Sequence, residues 1–143
     1  MKRADPDACR AWQLLMRFFF VQRGHLPAWG ARFGLSPVQC HVLHLIEPGQ
    51  PMPMIRLAEA LSCDASNVTG LVDRLESRGL VQRRASPEDR RVKVLDLTAT
   101  GSRLRAQLLK RMTGRPLPLS RLSVQEQRAL VTLLERLLDD SSA

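Results

Sequence analysis

The chain has 143 residues, 44% hydrophobic and 25% charged, with a formal net charge of +8 and a pI near 10.9. This balance suits one folded module with accessory helices and excludes a disordered polymer. No apolar run reaches the roughly 20 residues of a membrane helix, and the stretch at 14–21 is broken by Arg17 and followed by no signal-type cleavage site, so a cytoplasmic protein is expected.

From about Asp7 to Phe33, Ala11, Leu15, Phe18, Val21, His25 and Trp29 recur at helical spacing. They predict one long helix, which Gly24 and Pro27 bend or divide and Gly34 stops. Ser36-Pro37-Val38-Gln39 is a capping box with proline at the first helical position, and Val38, Val42, Leu45 and Ile46 form the stripe behind it. A short helix follows from about Met54 to Leu61, burying Ile55 or Leu57 together with Ala58 and Leu61. After Ser62-Cys63, Asp64 can cap a helix that runs to about Arg78. Its apolar face is Val68, Leu71, Val72 and Leu75; the opposite face holds Ser66, Asn67, Thr69, Gly70, Asp73 and Arg74. Gly79 stands at the usual stop position.

The period then changes from helical to extended. Leu80–Ala85 and Arg91–Leu97 read as strands around a turn-rich Ser86-Pro87-Glu88-Asp89-Arg90, which makes a hairpin. Thr98 can cap the next helix, lined by Leu104, Leu108 and Met112. Gly114, Pro116 and Pro118 interrupt the chain before a second capping box, Ser123 to Glu126, and a leucine stripe at 130, 133, 134, 137 and 138. The expected fold is mainly α with a small β-hairpin wing.

Two short helices, a tight turn and a hairpin make a winged helix-turn-helix. The helix after Asp64 leaves a small polar face: Ser66, Asn67 and Thr69 can meet base edges or phosphates in a major groove, and Gly70 permits close approach. That face also reads as an ordinary solvated helix surface. The hairpin adds Arg83, Arg84, Arg90, Arg91 and Lys93, and an arginine at its tip can enter a minor groove. Asp89 beside these would repel phosphate. A structural role suits it better, holding the Arg91 guanidinium or pairing with Arg74 to lock wing to helix.

The run from residue 57 to 101 closely resembles the core of the MarR (multiple antibiotic resistance regulator) family. Leu71-Val72-Asp73-Arg74-Leu75-Glu76 with Arg78-Gly79-Leu80-Val81, the wing Pro87-Glu88-Asp89-Arg90-Arg91 and the exit Leu97-Thr98-Ala99-Thr100-Gly101 carry the resemblance. It implies a homodimeric DNA-binding transcription regulator, of repressor type, on a near-palindromic operator. A winged lobe at 36–98 would be joined to a helical dimerisation region at 7–33 and 99–139. Arg91 would be the minor-groove residue of an Asp-x-Arg wing motif, and Ser66, Asn67, Thr69 and Arg74 would lie on or near the reading face. Residues 114–122 are richer in proline than this connection usually is in the family.

The resemblance also implies an effector, a small aromatic or phenolic anion bound between dimerisation region and lobes. Trp12, Met16, Phe19, His41 and His44 are candidates to line that site, with Arg17 for a carboxylate; the same residues also read as dimer core and plain helix surface. A redox-responsive regulator and a winged-helix module used only for protein contacts are the alternatives. Cys9, Cys40 and Cys63 show no metal spacing, and with no tyrosine in the chain the thiolate support of the family's peroxide sensors is missing. No metal and no cofactor are expected. The chain contains none of the GxSxG, HExxH, Walker A or dinucleotide fingerprints, so an enzyme is not expected.

Overall fold

Asp5 opens the first helix by accepting the Asp7 amide hydrogen at 2.9 Å, with a proline at the start of α1 (Pro6–Arg23). The computed structural model describes residues 5–114 and 118–139; Arg115 and Pro116, and the side chains of Leu26, Pro27 and Trp29, lie outside the described residues. The expected long helix is divided at Gly24, and α2 (Leu26–Ala31) follows. Gly34 then adopts φ +64°, a left-handed turn that glycine takes without steric cost.

The first capping box forms as its spacing requires. The Gln39 amide donates to Ser36 Oγ at 3.3 Å and the Ser36 amide to Gln39 Oε1 at 2.9 Å, which starts α3 (Pro37–Leu45). The buried stripe is shifted from the expected one: Val42, Leu43 and Ile46 are fully enclosed, whereas Val38 is exposed. A two-residue strand β1 (Met52–Pro53) leads into α4 (Met54–Leu61), where Leu57 is buried and Ile55 is 68% exposed. Of the two alternatives at that position, Leu57 is the core residue. Asp64 occupies the N-cap position of α5 (Ala65–Ser77), but its side chain makes no capping bond.

Val68, Val72 and Leu75 seat α5 on the core. Removing a fully buried side chain such as Leu75 by truncation to alanine costs about 2–5 kcal/mol. After Gly79, strands β2 (Val81–Ala85) and β3 (Lys93–Leu97) pair antiparallel, with Val81 opposite Leu97 and Arg83 opposite Leu95. β1 pairs with the other edge of β3, so the sheet order is β1-β3-β2. Two residues, one of them proline, carry no alternation, which is why β1 has no signature in the sequence. β3 is central, and Val94, Leu95 and Leu97 are all buried.

Thr98 closes the lobe. Its hydroxyl donates to the Gly79 carbonyl at 2.6 Å and accepts the Gly101 amide at 3.0 Å, capping α6 (Ala99–Thr113) while tying it to the end of α5. Leu108 reaches the same core as Leu35, Leu43, Leu57 and Leu95. The chain divides into two units, residues 1–109 and 110–143. In the second, a 3-10 turn (Pro118–Arg121) precedes α7 (Val124–Asp139). Its capping box also forms, the Ser123 amide donating to Glu126 Oε2 at 2.7 Å and the Glu126 amide to Ser123 Oγ at 3.3 Å. These bonds favour the ionised Glu126 carboxylate and lower its pKa. No described helix is long and apolar enough to cross a membrane.

Candidate nucleic-acid interface

Burial of one stripe of α5 decides what the other side offers. With Val68, Val72 and Leu75 inward, Ser66, Asn67, Thr69 and Arg74 are exposed together and Gly70 is half-buried. A groove of about 350 Å³ runs along this surface, bordered by Val38, Leu61, Ser66, Asn67, Gly70 and Arg74. The Thr69 hydroxyl already donates to the Ala65 carbonyl at 2.9 Å, so it meets a partner through its methyl group and as a hydrogen-bond acceptor. A Cβ built on Gly70 would meet no atom within 4 Å, so nothing inside the protein requires glycine there. Its small size matters only to something approaching from outside.

The wing tip is held by its own backbone. Asp89 Oδ1 accepts the Arg91 amide at 2.9 Å, the Asp89 carbonyl accepts the Val92 amide at 3.0 Å, and the Ser86 amide donates to the Val92 carbonyl at 2.8 Å. Asp89 is therefore structural as expected, but not by either expected route. It grips the Arg91 backbone rather than its guanidinium, and among the described residues no ion pair joins it to Arg74. Turn geometry explains the difference: a carboxylate two residues ahead is well placed for a backbone amide and too close for a long side chain to fold back on. Arg90 and Arg91 are exposed and form no ion pair among the described residues. Arg84 differs from them, since it lies 3.2 Å from the Asp96 carboxylate across the hairpin.

Wing and helix are locked by a residue the sequence reading counted only as one basic charge among several. Arg83 Nη1 donates to Glu76 Oε2 at 2.6 Å, and its Nη2 donates to the Asp73 carboxylate and to the Thr69 carbonyl at 3.1 Å. The Arg83 amide adds a bond to Glu76 Oε1 at 2.9 Å. Burial alone would lower the pKa of this guanidinium; the two carboxylates outweigh it and raise the value. Strand alternation held part of the missing signal. Position 83 shares a face with buried Val81, and an arginine turned inward needs carboxylates, which Asp73 and Glu76 present one turn apart.

Two further arginines hold the lobe's periphery. Arg78 donates to the Phe33 and Gly34 carbonyls at 2.6 and 2.9 Å, satisfying the chain after α2. Arg105 on α6 pairs with Glu47 and donates to the His44 carbonyl at 3.2 Å.

None of the candidate effector residues borders the groove along α5. Trp12, Met16, Arg17 and Phe19 lie on α1, which buries no residue; Trp12 is 63% and Phe19 52% exposed. His41 and His44 lie on α3, and partial burial together with the neighbouring His44 lowers the His41 pKa. A second groove, also about 350 Å³, is bordered by Phe33, Arg78, Leu80, Arg103, Leu104 and Gln107, none of them a candidate. Cys9 and Cys63 are exposed, and Cys40 is half-buried. No cluster of three metal-ligating side chains occurs among the described residues.

The family model described as "MarR family" matches residues 35–93. The uncharacterised HTH-type transcriptional regulator YfiV of Bacillus subtilis is 34% identical over 65% of this chain and 58% of its own length. A protein assigned as the transcriptional regulator of the hcr operon in Thauera aromatica is 32% identical over 87% of this chain and 80% of its own. Among solved structures, apo wild-type MarR of E. coli superposes with a TM-score of 0.70 at 25% identity, covering 88% of this chain and 95% of that one.

Proposed function

From the chain's membership of the MarR family, a family of DNA-binding transcription regulators rather than enzymes, we propose that it reads a near-palindromic operator as a homodimer and represses from it. The α5 face of Ser66, Asn67, Thr69, Gly70 and Arg74 enters the major groove, and Arg91 at the wing tip enters the adjacent minor groove. The observation that carries this reading is the pairing of an unobstructed polar helix face with two uncompensated arginines, Arg90 and Arg91, on a backbone-stabilised wing. Arg84, neutralised by Asp96, contributes less. A protein-only module would have no use for uncompensated arginines at a rigid tip.

The dimerisation region comprises 7–33 and 99–139, with the winged lobe at 36–98. Support comes from apolar surface in both flanks. On α1, Phe19 and Phe20 are 52% and 57% exposed; on α7, Leu133, Leu137 and Leu138 are 53%, 63% and 70% exposed. Apolar stripes of this extent are characteristic of subunit interfaces. Occupancy by a small aromatic or phenolic anion near α1 and α3 releases the DNA.

Selection of bound sequences from random duplex DNA tests this reading. The expected result is an enriched inverted repeat with half-site centres one helical turn, about 34 Å, apart. Recovery of no sequence, or of a single half-site, would contradict it. Repeating the selection with aromatic acids tests the effector: enrichment should fall in their presence.

A further inference from the structure

Arg83 contacts α5 at three points on two successive turns: the Thr69 carbonyl, the Asp73 carboxylate and the Glu76 carboxylate. It stands in β2, the strand that leads directly to the wing tip, and its side chain is 25% exposed. A partly desolvated guanidinium that donates to two carboxylates and a carbonyl fixes direction as well as distance, because its donors lie in one plane. The clamp also acts on charge. Asp73 and Glu76 belong to the same helix as the reading face, and left alone they would set two negative charges beside incoming phosphates.

We propose that Arg83 is a positioning residue for DNA recognition, setting the angle between α5 and the wing so that Asn67 and Arg91 reach adjacent grooves together, while neutralising Asp73 and Glu76. This rests on the DNA-reading function above. Arg83 itself touches no DNA in this arrangement, since its donors already face the helix. It makes two contacts with the operator interdependent, although Arg91 and Asn67 do not touch.

The test is a binding cycle on the selected operator, using full-length dimeric protein whose folding is checked by thermal melting. Arg91→Ala should weaken binding by roughly 5- to 150-fold in the parent. In an Arg83→Met background the same Arg91→Ala should cost less than about twofold, because the wing is no longer delivered to its groove. Arg83→Lys should restore part of the coupling. If the two losses multiply instead, Arg83 is a fold staple only and the inference fails. If Arg91→Ala binds like the parent, the wing reading fails first and this inference falls with it.

Should Arg83→Met not fold, Asp73→Asn combined with Glu76→Gln weakens the clamp by removing its charge while keeping side-chain shape. Bulk electrostatics predicts tighter binding after two negative charges are removed. Positioning predicts that operator affinity falls while affinity for unrelated duplex DNA rises, so the specificity ratio drops at least tenfold. Operator and unrelated DNA strengthening in parallel would overturn the proposal.

Discussion

Gly101 lies so close to Leu80 that a Cβ at position 101 would come within 1.8 Å of the Leu80 carbonyl oxygen. The Thr98 amide donates to that same carbonyl at 3.2 Å, and the Thr98 hydroxyl bridges the Gly79 carbonyl and the Gly101 amide. The end of α5, the last strand and the start of α6 therefore meet at one backbone junction. Gly101→Ala would gain about 1 kcal/mol in an isolated helix. Here the backbone clash must be relieved by moving α6, so a net loss of about 2 kcal/mol or more is expected. Urea unfolding at fixed protein concentration measures it, and a stabilised variant would contradict the junction.

Arg91→Ala should weaken operator binding by about 1–3 kcal/mol and lower the salt-dependence slope by about one, since one cation is lost from the DNA interface. Sedimentation should show an unchanged assembly state. Fluorescence anisotropy across a salt series gives both quantities, and an unchanged affinity removes the wing from the interface.

Asn67→Ala should change which operator variants are preferred more than it changes overall affinity, because an amide on the exposed α5 face offers both donor and acceptor to a base edge. Competition among single-base operator variants reads this out. An identical ranking for parent and variant would assign Asn67 to phosphate contact instead.

Leu133→Glu with Leu137→Glu places two charges on the exposed apolar stripe of α7. A homodimer built on that stripe should dissociate, and sedimentation velocity should then give a species near the 16.1 kDa of one chain. The local capping box at Ser123 and Glu126 should keep α7 helical. A dimer that survives both charges would place the interface elsewhere.

Burial raises the Cys40 thiol pKa above its ordinary value of 9.0, opposed only in part by a backbone hydrogen bond. Alkylation follows the thiolate. At pH 8 Cys40 should therefore lag behind exposed Cys9 and Cys63, and its rate should keep rising with pH through the alkaline range. Peptide mapping after a timed iodoacetamide pulse checks the order, and a Cys40 that leads would contradict its burial. Under the effector reading proposed above, Cys9→Ser should leave DNA release by organic peroxide unchanged.

Short-range physics was legible in the residues themselves. Two capping boxes, at Ser36 and Ser123, the Val68-Leu71-Val72-Leu75 stripe, with Leu71 at its half-buried edge, and the stop at Gly79 each depend on groups within a few positions of one another, and all formed as their spacing implied. Packing of that stripe also dictated which α5 residues face outward, so the candidate reading face followed from local pattern alone. Tertiary structure decided what depends on the angle between elements. It enclosed Leu57 and left Ile55 in solvent, added β1 to a sheet whose third strand has no periodic signal, and gave Arg83 to Asp73 and Glu76. Charge matching does not identify Arg83, because any of five basic residues in the hairpin satisfies it, and strand alternation narrows the choice only to positions that share a face with buried residues. Only the register that sets Arg83 opposite Leu95, beneath α5, selects one of them, and that register is a property of the assembled sheet.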